Sequence, residues 1–176
     1  TGCGGMVLTN DDLIAEKVKM IRKHVEKSKF VHEILGHNFK MSDISAAIGI
    51  EQLKKINNFI DKRIKNADYL TNNLSDINWI QTPKIKANCK HTFHKYTIKI
   101  IGKNREEIMK KLDDAGIGNG VYYPMPIYRQ KIFQELNYRD NLPVVEEITK
   151  QVISLPIHTS LTKEELDFII ETMHHL

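Results

Sequence analysis

Residues 36–47, GHNFKMSDISAA, carry a polar loop straight into the cap of an amphipathic helix. Asn38 and Lys40 stand just ahead of the helix start, where free backbone amides and the positive end of the helix dipole favour an anion such as phosphate. Taken alone, the same segment reads first as a helix-capping loop. Residues 121–126, VYYPMP, take a strand end into a rigid proline turn and set the phenols of Tyr122 and Tyr123 at an edge where a substrate can meet them. Core packing of tyrosine is the plainer alternative there.

Other candidates are weaker. The opening TGCGG is glycine-rich, but a turn placed before a strand is a structural turn rather than a dinucleotide fingerprint. His91 and His94 lie three apart in a strand-like run and so point to opposite faces, and His174 and His175 suit a helix end better than a ligand set. No metal site is expected, and no Ser, His and Asp arrangement announces a nucleophile. Cys3 and Cys89 are far apart and lack a framework spacing, which suits reduced thiols in a cytoplasmic setting. The formal net charge of +4 comes from lysines that alternate with Glu and Asp along helical stretches. That describes a solvated surface, with no nucleic-acid partner. No apolar run approaches the ~18 residues of a membrane span, so no membrane partner is expected either.

The elements that must position these residues follow from pattern. Residues 6–9 read as a buried strand, and Asn10 as the cap of a helix bearing Ile14, Val18 and Ile21. Residues 24–40 lose periodicity and read as a long ordered loop, a common place for function. From Ser42 a single apolar stripe runs through Ile44, Ile48, Leu53, Ile60, Ala67 and Leu70, predicting one long helix over 42–75, bent near Gly49. Residues 79–81, 93–101 and 121–123 read as strands. Asn104 with Glu107 opens a helix that Gly116 closes; residues 129–136 form a short helix, residues 144–153 a further one, and Thr162 with Glu165 caps the last. The sum is an α+β fold with an antiparallel sheet flanked by helices, preceded by the long helix and by a strand and helix of something else.

Read in order, these segments resemble the DegT/DnrJ/EryC1/StrS family of sugar aminotransferases, a branch of the fold type I pyridoxal-phosphate enzymes. TGEGG and a strand ending in TND correspond to Thr1 through Asn10. GxNxRMSDIxAAxGxxQL corresponds to Gly36, Asn38, Met41 to Ile44, Ala46, Ala47, Gly49, Gln52 and Leu53. A W/FHxY strand corresponds to Phe93, His94 and Tyr96, GVHYPxPLHxQ to Gly120 through Gln130, and SLPLHxxLT to Ser154 through Thr162.

The resemblance implies a cytoplasmic homodimer with active sites shared between subunits. It places the end of a large cofactor-binding domain at 1–41, a linking helix at 42–75 and a small carboxy-terminal domain at 76–176. It gives Asn38 the role of touching the phosphate of pyridoxal 5'-phosphate from the neighbouring chain, and it turns Lys40, Tyr122 and Tyr123 toward the substrate. Lys40 stands where arginine is common, Tyr122 and Tyr128 stand where histidine is common, and Cys3 replaces glutamate. The implied reaction is transamination of a nucleotide-linked keto sugar with an amino-acid donor, glutamate, for amino-sugar or surface-polysaccharide synthesis. No catalytic residue is assigned within the chain: the Schiff-base lysine is expected just before Thr1, so the chain alone should be inactive. A sugar dehydratase of the same family, with histidine in place of that lysine, and a regulatory or binding module are the alternative functions.

Overall fold

Alternation along residues 96–100 builds the sheet. Tyr96, Ile98 and Ile100 point inward and are buried, while Thr97 and Lys99 between them are only partly covered. The structure, a computed structural model, describes residues 4–23, 26–28, 31–32 and 38–176, with the backbone alone at 26–28 and 31–32. Thr1, Gly2 and Cys3 of the glycine-rich opening, and Gly36 of the loop, lie outside the described residues. Contacts divide the chain into two units, Thr1–Ile56 and Asn57–Leu176.

In the first unit, α1 (Asp12–Arg22) starts one residue later than predicted. Asp11 is its N-cap because one carboxylate oxygen accepts from Leu13 N at 2.8 Å and Ile14 N at 3.1 Å, a pair that Asn10 does not supply. The strand expected at residues 6–9 is absent: the run pairs with no strand among the described residues, and Met6 and Leu8 are 74% and 86% exposed. The stretch read as a loop contains instead an antiparallel pair, β1 (Glu26–Ser28) with β2 (Val31–His32), followed by a bridge between Lys23 and Asn38. α2 (Asp43–Leu53) follows, capped by Ser42, whose hydroxyl accepts from Ser45 N.

The predicted single helix is two. α2 passes Gly49 unbroken and ends at Lys54, where Lys55 N bonds Gln52 O at 3.0 Å, and α3 (Ile56–Leu74) begins. The apolar stripe hides this break, because the Leu53 to Ile56 spacing of three suits a tight 3₁₀ turn as well as an α-helix. Its first half stays exposed; only Ala67, Leu70 and Leu74 are buried.

In the second unit β3 (Ile80–Gln81), β4 (Tyr96–Ile100) and β5 (Val152–Leu155) form an antiparallel sheet in the order β3-β4-β5. Between them lie α4 (Arg105–Asp114), a 3₁₀ turn at Ile127–Arg129, α5 (Lys131–Glu135) and α6 (Pro143–Gln151). Asn104 caps α4, and the helix closes in a Schellman turn: Ile117 N bonds Leu112 O at 2.8 Å and Gly116 N bonds Asp113 O at 2.9 Å. Gly116 has φ +76, which a residue with a Cβ rarely adopts. α7 (Lys163–His175) carries the full capping box from Thr162 and Glu165, and His174 reaches the carbonyl of Asn73.

Two sequence expectations fail here. The helix predicted to run to residue 153 stops at Gln151 and the chain passes directly into β5. The strand predicted at 121–123 is reduced to one bridge, Gly120 with Ser154. The buried core joins Leu70 and Leu74 of α3, the inward face of β4, Ile108 and Leu112 of α4, and Ile169 and Met173 of α7. Each such fully buried aliphatic side chain contributes about 1.5–3 kcal/mol. Among the described residues no helix is long and apolar enough to cross a membrane.

Tyr96 sits in that core with its hydroxyl 2.9 Å from Thr71 Oγ1, and burial pushes its pKa up from 10.0 to about 12. Below pH 10 the folded and unfolded chains both hold the proton. As the pH climbs toward about 12 the unfolded chain releases it first, so stability falls. Between pH 9 and 12 the parent should therefore lose roughly 2 kcal/mol more than Tyr96→Phe, read by urea unfolding at each pH. Identical losses in the two proteins would contradict the assignment.

Candidate functional site

The second unit holds a cavity of about 760 Å³ at the end of the sheet where β5 leaves and β4 begins. Its walls follow from the pairing of one residue. Ser154, 7% exposed, lies opposite Thr97 with their hydroxyls 2.8 Å apart, and its own N–H and carbonyl bond Gly120 at 2.7 and 3.2 Å. The segments before β4, after β5 and around Gly120 are thereby drawn to one place.

Phe93 is buried and has φ +44, a left-handed turn that sends its ring into the core while His94 and Lys95 line the cavity. His91 accepts the Phe93 amide on Nδ1 at 3.0 Å. Neither histidine belongs to a strand, so their expected alternation across a sheet does not occur. Gly120 lets the Tyr122 ring lie against the backbone: a Cβ there would stand 3.1 Å from Tyr122 Cε2 and 3.2 Å from its hydroxyl oxygen. On that ring sits the Lys95 ammonium, 3.1 Å from the centroid. Such a contact contributes on the order of 1 kcal/mol and fixes both side chains.

Arg63 of α3 lines the same cavity, half-buried. Neither Arg63 nor Lys95 has a carboxylate partner among the described residues. Glu165, the carboxylate that lines the cavity, accepts from Thr162 N at 2.8 Å in the cap of α7. Asn119 donates to Asp113 at 2.7 Å, and its buried Oδ1 has no donor.

In the first unit the sequence alternates around residues 38–41. Phe39 and Met41 line an apolar cavity of about 540 Å³ with Val18 and Ile21 of α1, and Phe39 N bonds Arg22 O at 2.9 Å. A Cβ on Gly4 would stand 2.7 Å from Met41 Cε, the far end of a flexible side chain that can turn aside. Asn38 and Lys40 are exposed just before α2, as are Phe39 and Met41 at 62% and 40%, and the side chains of Asn38 and Lys40 have no hydrogen-bond partners among the described residues. An amide and an ammonium are donors, and together with the start of α2 they match the acceptors of a phosphate.

Of the residues singled out from sequence, Asn38 and Lys40 lie together in the first unit. Tyr122 lines the cavity of the second, 49% exposed, whereas Tyr123 is 72% exposed and does not line it. Tyr128 is buried, donates to Glu146 at 2.7 Å, and is held above the usual phenol range by burial and then by that bond. Arg63, Lys95 and Asn119 were missed. Arg63 reads as one more cation on a charged helix and Lys95 as the variable position between His94 and Tyr96. Only the flanking glycines of Asn119 gave a local signal.

The profile of the DegT/DnrJ/EryC1/StrS aminotransferase family matches residues 1–174. A protein named "Pleiotropic regulatory protein" from Geobacillus stearothermophilus is 35% identical over 173 residues, 97% of this chain and 46% of the relative. A protein of Acidithiobacillus ferrooxidans named UDP-N-acetyl-3-dehydro-alpha-D-glucosamine 3-aminotransferase is 29% identical, covering 94% of this chain and 44% of its own. Among solved structures, Bacillus subtilis NtdA with bound cofactor PMP superposes with a TM-score of 0.83 at 31% identity, covering 95% of this chain and 40% of that one. The chain thus spans about half the length of the curated relatives it matches.

The stack of Gly120, Tyr122 and Lys95 is directly testable. In the parent the ε-methylene protons of Lys95 should be shifted upfield by the ring current in a ¹³C-lysine NMR spectrum. Gly120→Ala should return them to ordinary positions while unfolding free energy changes by less than about 1 kcal/mol. Shifts that stay upfield in the variant would show that the ring does not rest on residue 120.

Proposed function

Because the chain belongs to the DegT/DnrJ/EryC1/StrS aminotransferase family, we propose that the whole protein transfers an amino group from glutamate to a nucleotide-linked keto sugar with pyridoxal 5'-phosphate. Residues 1–41 then end the cofactor-binding domain, 42–75 link it to the small domain, and 76–176 form that domain. The observation that carries the reading is the first-unit segment: the amide of Asn38 and the ammonium of Lys40 stand as exposed donors, without side-chain partners among the described residues, just before a helix start.

Asn38 donates an N–H to a phosphate oxygen of the cofactor held by a second copy of the chain, in a cytoplasmic homodimer with shared sites. Lys40 supplies a point charge rather than the bidentate grip an arginine gives, which suits a mobile anionic substrate. The phenols of Tyr122 and Tyr123 orient the sugar. When bound, the cofactor stores the amino group between the two half-reactions and withdraws electrons from the donor carbon. The names of relatives that act on nucleotide-linked sugars support the substrate class.

The test uses the full-length protein. With pyridoxal phosphate bound, glutamate should convert its absorbance to that of the pyridoxamine form, and a nucleotide-linked keto sugar should restore it. Asn38→Ala should weaken cofactor binding by about 10- to 100-fold, the loss of one hydrogen bond to a charged group. Absence of glutamate-dependent conversion in the parent would reject the transaminase reading, and unchanged cofactor affinity in the variant would reject the role of Asn38.

A further inference from the structure

Residues 121–127 carry the phenols of Tyr122 and Tyr123 through a turn that few torsions can deform. Tyr123 and Met125 each precede a proline, which confines them to extended backbone, and Pro124 and Pro126 have a fixed φ. A displacement at either end of the turn is therefore passed along it rather than absorbed. Both ends are tied to one continuous stretch of chain, since α6 runs directly into β5. The first tie is the backbone pairing of Gly120 with Ser154. The second is made by side chains: Oε1 of Glu146, in α6, accepts from the Tyr128 hydroxyl at 2.7 Å and from Arg129 Nε at 2.6 Å. Tyr128 is 6% exposed, so its phenol is held inside while those of Tyr122 and Tyr123 stay open. The Tyr128 hydroxyl also accepts from Leu142 N at 3.3 Å, at the start of α6, where Leu142 has no capping oxygen of its own. Arg129 and then Tyr128 hold the Glu146 carboxyl below the usual carboxylate range, so at neutral pH it accepts both bonds as a charged group.

We propose, on the reading that Tyr122 and Tyr123 meet the sugar, that Glu146 is a positioning residue for that substrate. It acts without touching the sugar, by holding Tyr128 and Arg129 so that the turn presents both phenols at one place. Tyr128, which stands where histidine is common, thereby serves the turn and not the substrate. Because the phenols orient the sugar and not the amino donor, loss of Glu146 separates the two half-reactions. A general loss of folding would lower both together.

In the full-length protein loaded with pyridoxal phosphate, cofactor absorbance follows each half-reaction, at varied glutamate and at varied nucleotide-linked keto sugar. Glu146→Ala and Tyr128→Phe should raise the KM for the sugar about tenfold and leave that for glutamate within about twofold of the parent. Glu146→Gln, which keeps an acceptor for both donors, should recover most of the loss. Glu135→Gln, which removes an exposed pair with Lys131 in the same segment, should change neither value. A readout without substrate accompanies these: the Lys95 signals shifted by the Tyr122 ring should move toward ordinary positions in Glu146→Ala and stay in place in Glu146→Gln. Equal losses in both half-reactions, an unchanged sugar KM in Glu146→Ala, or Lys95 signals that do not move there would overturn the proposal. A parent without glutamate-dependent conversion would instead reject the transaminase reading, and the Lys95 signals would still decide whether Glu146 sets the Tyr122 ring.

Discussion

One residue of β5 determines where the walls of the cavity stand. Ser154 meets Thr97 side chain to side chain on one edge and Gly120 backbone to backbone on the other, so three segments distant in sequence are tied at a single point. Its hydroxyl is polar and nearly buried, and it tolerates burial because the Thr97 hydroxyl satisfies it. A larger or purely apolar residue there would leave Thr97 without its partner and push Gly120 away. The placement of Lys95, Tyr122 and Asn119 around the cavity depends on that tie.

The two units differ in what holds them. Among the described residues the buried hydrophobic side chains run from Ala67 to Met173, all in the second unit, whereas α1 and α2 bury none. Cooperative stability therefore belongs to the second unit, where α3, α4 and α7 enclose the inward face of β4. The first unit is organised instead by caps, a short antiparallel pairing and the backbone bonds that join residues 38 and 39 to the end of α1. Those suffice to present Asn38 and Lys40 without a large core beneath them.

Local chemistry explains which features could be read from the sequence. Asn104, Gly116 and the Thr162–Glu165 box announced helix ends because each satisfies backbone groups within a few residues of itself. β4 announced itself by alternation. β5 did not, because Ile153, Ser154 and Leu155 are all buried and follow a helix with no turn residue between, so the helical period seemed to continue. Residues 6–9 misled in the opposite sense, since an apolar run specifies burial without specifying a ladder partner. In the site, Asn38, Lys40 and Tyr122 were visible as a loop and a turn, whereas Arg63 and Lys95 meet only because folding brings positions 32 residues apart to one cavity. No spacing rule encodes such a meeting.

Glu165 belongs at once to the start of α7 and to the wall of the cavity. Its carboxylate closes the capping box and is also the negative charge in the wall that Arg63 and Lys95 line. Divergence of the helix cap and divergence of the cavity's charge are therefore not independent in this lineage: a descendant that replaced this glutamate would lose a helix cap and a wall charge in one step, and selection acting on one would be felt by the other.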